Sequence, residues 1–172
     1  MNDNVKKRIV KLIENQQSLV LSTITNHQTG SKVDLIQPES SYAPYFCDIN
    51  QQQFYIMLSD LANHTTNLRN NPQASILVIE DEQNAEQIFA RTRVQYFVEA
   101  TQLQELKEIE KAKTLLKNRF GEMIDVLGSL KDFNVFSLTP LQGSFVEGFG
   151  KAFTIKKGLY GGLGPTMRDK KS

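Results

Sequence analysis

Apolar residues at Val5, Ile9, Leu12 and Ile13 recur at helical spacing behind the capping candidates Asn2, Asp3 and Asn4. This predicts an amphipathic helix over residues 4–17. The period then changes. Residues 18–25, SLVLSTIT, are rich in β-branched side chains and read as a strand. Asn26 to Gly30 supplies the turn of a hairpin. Residues 32–36 could form the returning strand, Pro38 interrupts, and residues 40–48 resume it. Further strands are predicted over 53–59, 74–81, 91–101, 133–140, 143–150 and 151–155. Helices are predicted over 61–70, with Leu61, His64 and Leu68 on the inner face, and over 84–90. Another is predicted over 104–120, with Leu106, Ile109, Ala112, Leu115 and Leu116 inward. Gly121 breaks that helix, and a shorter one follows.

Strands joined by short connections, with too few helices for a parallel sheet, define the fold class. It is mostly β with peripheral helices, an α+β chain built on an antiparallel barrel. Residues 1–155 form this domain. Residues 156–172 form a glycine-rich tail in which Gly158, Gly161, Gly162, Gly164 and Pro165 forbid a regular element. The tail reads either as mobile chain or as a loop that orders over a ligand.

Composition narrows the classes. Twenty Lys and Arg against 19 Asp and Glu give a formal charge of +1, which excludes a generic basic nucleic-acid binder. The tail alone carries +4, leaving −3 for the rest. A single cysteine, Cys47, excludes an intramolecular disulfide and a Cys-rich zinc site. No apolar run approaches the ~20 residues that span a bilayer. The N-terminal residues are charged every few positions, unlike a secretory signal, so a soluble, cytoplasmic protein is expected.

The sequence has no phosphate-binding loop, no H-E-x-x-H and no C-x-x-C. Gly148 and Gly150 sit in G-F-G-K-A-F, which lacks a third glycine and leads into a strand. It therefore reads as a bend, not a dinucleotide fingerprint. Four polar residues, Ser59, His64, Thr65 and Asn67, cluster where a strand feeds a helix, a junction where free backbone N–H groups favour anions. Alternation places Arg91 and Arg93 on one strand face with Phe97, ~7 Å apart at ~3.4 Å per residue. They could clamp an anion or serve solubility. Phe145, Phe149 and Phe153 recur every four residues and share a face. They read as core or as a stacking wall for a flat ring. Asp132 stands before a strand, in a turn position.

Five blocks carry a resemblance: SYAPYF (41–46), FYIMLSDLANHTTNLRNNPQASILVIEDE (54–82), IFARTRVQYFVEA (88–100), RFGEMID (119–125) and DFNVFSLTPLQGSFVEGFGKAF (132–153). Together they resemble bacterial haem-utilisation proteins of the HugZ/HutZ type, within the pyridoxamine-phosphate-oxidase-like, FMN-binding split-barrel superfamily. The resemblance covers roughly residues 18–155. It implies a split β-barrel homodimer with its cofactor in a cleft between subunits. The cofactor would be haem, opened at a meso position with electrons from an external donor, or FMN. A cofactor-binding protein without catalysis is the third reading. In FMN-binding relatives a Lys often opens a K-x-x-N-L block, which here reads His64-Thr65-Thr66-Asn67-Leu68. In the haem relatives a C-terminal His ligates the iron and an Asp in the block of Asp132 hydrogen-bonds it. Asp132 is kept, and no His follows His64. Tyr160, Met167, Cys47 and His64 are the possible substitutes. Tyr160 is the tail residue of a known strong haem-ligand type. The resemblance thus assigns Asp132 to catalysis. Cofactor contacts fall to Arg91, Arg93, Ser59, His64, Thr65, Asn67, Phe149 and Tyr160. Tetrapyrrole or flavin would be the small-molecule partner, with neither nucleic acid nor membrane.

Overall fold

The computed structural model describes residues 2–27 and 35–166. Of the turn expected at Asn26–Gly30, Asn26 and His27 instead continue the first strand, and residues 28–30, like Met167, lie outside the described ones. Eight strands form one sheet: β1 (Ser18–His27), β2 (Leu35–Asp48), β3 (Gln53–Ser59), β4 (Gln73–Ile79), β5 (Arg93–Gln102), β6 (Phe133–Val146), β7 (Ala152–Ile155) and β8 (Gly164–Pro165). Their order is β3-β2-β1-β4-β5-β6-β7-β8, and β3 also pairs with β6. That extra pairing closes six strands into an antiparallel ring with β7 and β8 as an extension. The mostly β architecture with peripheral helices is therefore present.

The ring closes because its inward positions are apolar. Leu21, Ile76 and Tyr96 lie in one cross-strand row, and all three are fully buried. Phe54 sits edge-on to Tyr45 at 5.4 Å between ring centres and tilted against Tyr96 at 6.0 Å. Such pairs add to the hydrophobic burial that holds the interior. Helix α1 (Asn2–Asn15) buries Val5, Ile9, Leu12 and Ile13 in this same core, as the spacing predicts. The Tyr45 hydroxyl donates to Ile13 O at 2.6 Å, fastening α1 to one end of the barrel.

Helix α2 (Asn63–Asn70) follows β3 and packs on β1. Helices α3 (Leu106–Phe120) and α4 (Met123–Ser129) form a second, smaller core with Tyr55 and Val135 on the barrel wall. Leu106, expected inward, is 77% exposed in the first turn of α3. The expected helix over 84–90 is instead two single turns of 3-10 helix, Glu82–Asn84 and Ile88–Ala90. None of their residues is buried, so no apolar face holds a longer helix together.

Two strands run through predicted breaks. Pro38 lies inside β2 opposite Ile24, where β2 pairs with β1 alone, so its missing N–H faces the open edge. Residues 133–140 and 143–150, expected as two strands, are largely one. β6 carries a bulge where Phe97 pairs with Gln142 and Val98 with Pro140, leaving Leu141 extra. Gly143 then passes so close to β5 that a Cβ there would meet Gln95 O at 2.1 Å. The tail also differs from expectation. Leu159 is fully buried, Lys157 and Gly161 form a bridge, and β8 pairs with β7. The Tyr96 hydroxyl donates to Leu159 O at 2.8 Å, and Gln52 Oε1 accepts from Leu159 N at 3.0 Å. Glycine-rich sequence here makes a compact turn because one leucine is anchored at both of its peptide groups.

Candidate functional site

Strand register divides the barrel into two ends. Arg93 opens β5 and Gln102 closes it. Nine steps at ~3.4 Å separate them by roughly 30 Å.

At the Gln102 end, β3 finishes at Ser59 and β6 begins after Asp132. The Ser59 hydroxyl donates to Asp132 Oδ2 at 2.7 Å and accepts from Leu61 N at 3.1 Å. The Asp60 N–H donates to Asp132 O at 2.7 Å. Thr65 Oγ1 donates to Ser59 O at 2.6 Å, which fixes the first turn of α2 against the same strand end. Beside them, Asp60, Arg69, Gln102 and Asn134 close a polar ring. Arg69 Nη2 lies 2.7 Å from Asp60 Oδ1, and Arg69 Nε donates to Gln102 Oε1 at 2.8 Å. Gln102 Nε2 donates to Asn134 Oδ1 at 2.8 Å, and Asn134 Nδ2 returns to Asp60 Oδ1 at 2.8 Å.

The sequence reading missed Glu39. Its carboxylate accepts from Asn67 Nδ2 at 3.0 Å, Thr25 Oγ1 at 3.0 Å and Asn63 Nδ2 at 3.2 Å. These bonds, Asn67's foremost, hold the carboxyl below its ordinary range. A signal was present. Tyr45, Ala43 and Ser41 alternate inward along β2, and carrying that alternation one step further back, past Ser40, reaches Glu39.

His64 occupies the second position of α2 and is half-buried, whereas Thr65, Asn67 and Leu68 form the buried face. The expected inward stripe of Leu61, His64 and Leu68 therefore fails at Leu61, which is 89% exposed in the turn before the helix. Burial lowers the imidazole pKa, and the charge of Glu39 opposes that shift.

The other end holds the remaining candidates. Arg91 lies before β5, not on it, so it shares no strand face with Arg93. Its guanidinium donates to Glu80 O and pairs with Glu82 at 3.2 Å. Arg93 donates to Arg91 O at 3.0 Å. Phe145 and Phe153 do meet, 6.2 Å apart and stacked, but across the β6–β7 pairing. Phe149 is at the tip between them, 71% exposed and flanked by Gly148 and Gly150, both at positive φ. The common face of three phenylalanines is thus replaced by a hairpin. Tyr160 packs against the core with Lys6 Nζ 4.1 Å from its ring centre. A cleft of about 890 Å3 lies between α1, residues 80–92 and the Phe149 turn. Arg8 and Lys11 line one wall and Glu80, Asp81 and Glu86 the other. One protomer therefore brings together Ser59, His64, Thr65, Asn67 and Asp132, and leaves Arg91, Arg93, Phe149 and Tyr160 elsewhere.

This ring-shaped sheet and its strand-end cluster have relatives. A family model described as pyridoxamine 5'-phosphate oxidase matches residues 5–147. The chain belongs to this family. Within it, the chain is a homologue of HutZ. It is 42% identical over 120 residues to heme oxygenase HutZ of Vibrio cholerae serotype O1, covering 69% of this chain and 67% of the relative. A crystal structure of HutZ, described as the heme storage protein from Vibrio cholerae, superposes with a TM-score of 0.66 at 30% identity. That alignment covers 90% of this chain and 97% of the other. Campylobacter jejuni ChuZ superposes with a TM-score of 0.78 at 25% identity, over 99% of this chain and 68% of ChuZ. The ring that closes through β3 and β6 is consistent with the split barrel of this family. Among the described residues, no helix is long and apolar enough to cross a membrane.

Proposed function

We propose that the protein binds haem at the Ser59–Asp132 end of the barrel and serves haem utilisation. The 42% identity to HutZ carries this reading. Degradation is named for one HutZ comparison and storage for the other, and haem is common to both.

The donor set at this end suits an iron porphyrin better than a flavin phosphate. Three carboxylates, Glu39, Asp60 and Asp132, lie at this end, and the guanidinium of Arg69 is already paired with Asp60. A phosphate dianion placed there would meet net negative charge. The FMN alternative further lacks its usual Lys, since His64 stands in that block. An imidazole beside a clamped carboxylate is instead the kind of arrangement that metals use. Exposed Leu61 and Leu130 lie at the rim and suit a macrocycle's apolar edge.

Haem, when bound, supplies both the redox-active iron and the macrocycle that degradation consumes. The chain's own residues bind and orient it. Asp132, fixed through Oδ2 by Ser59, offers Oδ1 to a further donor. Arg93, with no carboxylate partner among the described residues, is the guanidinium available to a propionate. An external donor would supply electrons.

The working unit in this proposal is a homodimer. On the outer wall, Tyr42, Val20, Leu77, Gln95 and Ser144 form one cross-strand row. Ser40, Ser22, Ser75, Phe97 and Gln142 form the next. None is charged in a chain that is 23% charged, and interface centres are likewise depleted of charge. A two-fold pairing through this wall could set Arg93 of one protomer beside Asp132 of the other. Equilibrium titration with haem and, separately, with FMN tests the proposal. Saturable haem binding is expected. Saturable FMN binding without haem binding would overturn it.

A further inference from the structure

We propose that His64 is the protein ligand to haem iron in this chain. The inference rests on the haem reading above and adds the atom that would hold the metal. Imidazole, thiolate and phenolate are the side-chain donors that hold haem iron singly. Among the described side chains, which do not include His27, the fold sorts these donors by position: Tyr42 lies on the outer wall and Tyr55 is buried in the second core.

Cys47 lies inward on β2 opposite Phe54, with 7% exposure, and belongs to the barrel core. A macrocycle cannot approach it without opening the sheet. Tyr45 and Tyr96 are interior, and their hydroxyls are spent on Ile13 O and Leu159 O. Tyr160 packs at the other end of the barrel, beneath Lys6 of α1.

His64 differs on each count. It is half-buried, so its side chain keeps access to solvent. Among the described residues its ring has no hydrogen-bond partner. Its backbone is nevertheless fixed from both sides. Asn63 and Asn67 bind Glu39, and Thr65 binds Ser59 O. A ring left free on an anchored turn is preorganised for a ligand. Glu39 and Asp132 stand at the same end, and carboxylates commonly receive the second N–H of a ligating imidazole. The geometry thus places the one described imidazole of this end on an anchored turn beside Glu39.

The test is a haem titration of the full chain followed by absorption spectroscopy. Wild type, His64→Ala, His64→Gln and Tyr160→Phe are compared, and circular dichroism melts show that each is folded. Wild type is expected to give an imidazole-type ferric spectrum. Both His64 variants should lose it, with affinity reduced more than about tenfold, the loss that outer-shell changes alone can cause. Added imidazole should restore the spectrum to His64→Ala, and Tyr160→Phe should match wild type. Should His64→Gln keep the wild-type spectrum and affinity, the assignment is overturned. A change confined to Tyr160→Phe overturns it equally. A wild type that takes up no haem defeats the haem reading itself, which is a distinct result.

Discussion

The Ser59 hydroxyl donates to Asp132 Oδ2 at 2.7 Å across 73 residues of chain, and so ties the end of β3 to the start of β6. The same oxygen accepts from Leu61 N, so the serine sets both the carboxylate and the turn that leads into α2. Ser59→Ala should therefore loosen two elements at once. Hydrogen bonds to charged groups contribute about 1.5–3 kcal/mol, and partial exposure here places the effect near the low end. A denaturant melt should show that loss, and Ser59→Thr should recover most of it. A Ser59→Ala protein as stable as wild type would mean that water replaces the hydroxyl without cost.

The segment after β7 is structural up to residue 166. Leu159 is fully buried and bonded at both peptide groups. Leu159→Ala should cost about 2–5 kcal/mol, the range for emptying a buried leucine site. Urea midpoints measure this. An unchanged midpoint would show that the segment docks without stabilising the barrel.

Acid should act through two groups. Hydrogen bonds from Asn67, Thr25 and Asn63 hold folded Glu39 below its ordinary 4.5. Its contribution is complete above 4.5 and is lost as pH falls through the folded value. Burial holds folded His64 below its ordinary 6.5. The unfolded chain then takes up a proton first, so stability declines as pH drops below 6.5 and levels once folded His64 protonates. The melting temperature should fall in two stages. His64→Asn should remove the upper stage and Glu39→Gln should reduce the lower one. Parallel profiles for wild type and His64→Asn would contradict the first assignment.

The uncharged outer wall should be an interface. Phe97, 50% exposed within it, is the position to challenge. Phe97→Glu places a charge where the wall has none, and its half-exposed ring contributes little to the monomer's core. The expected result is a fall to monomer mass by light scattering at micromolar concentration, with the melt of the subunit nearly unchanged. A wild-type protein that is already monomeric would remove the interface and any site shared across it.

Much of the barrel was legible in the sequence because its strands alternate cleanly. Residues 53–59 emerged with their observed bounds, and the α1 stripe of Val5, Ile9, Leu12 and Ile13 is buried as its spacing requires. The departures have local causes. Pro38 read as a break and the strand over 133–140 read as ending at Pro140, yet an open edge accommodates the first and a bulge carries β6 past the second. The tail's glycines read as mobile chain or as a loop ordering over a ligand, while one buried leucine docks the segment on the barrel. At the site, the Ser59–Asp132 contact spans the chain and no spacing could reveal it. Arg91 and Arg93 looked equivalent by alternation, but the strand begins at Arg93 and Glu80 O captures Arg91. Glu39 was hidden by the proline beside it.

The central claim is a haem-binding dimer. It is tested most directly by size-exclusion chromatography of the haem-reconstituted protein with light scattering and Soret absorbance recorded together. The account predicts a single peak at dimer mass carrying one haem per protomer. A monomer-mass peak, or haem eluting apart from the protein, would contradict it.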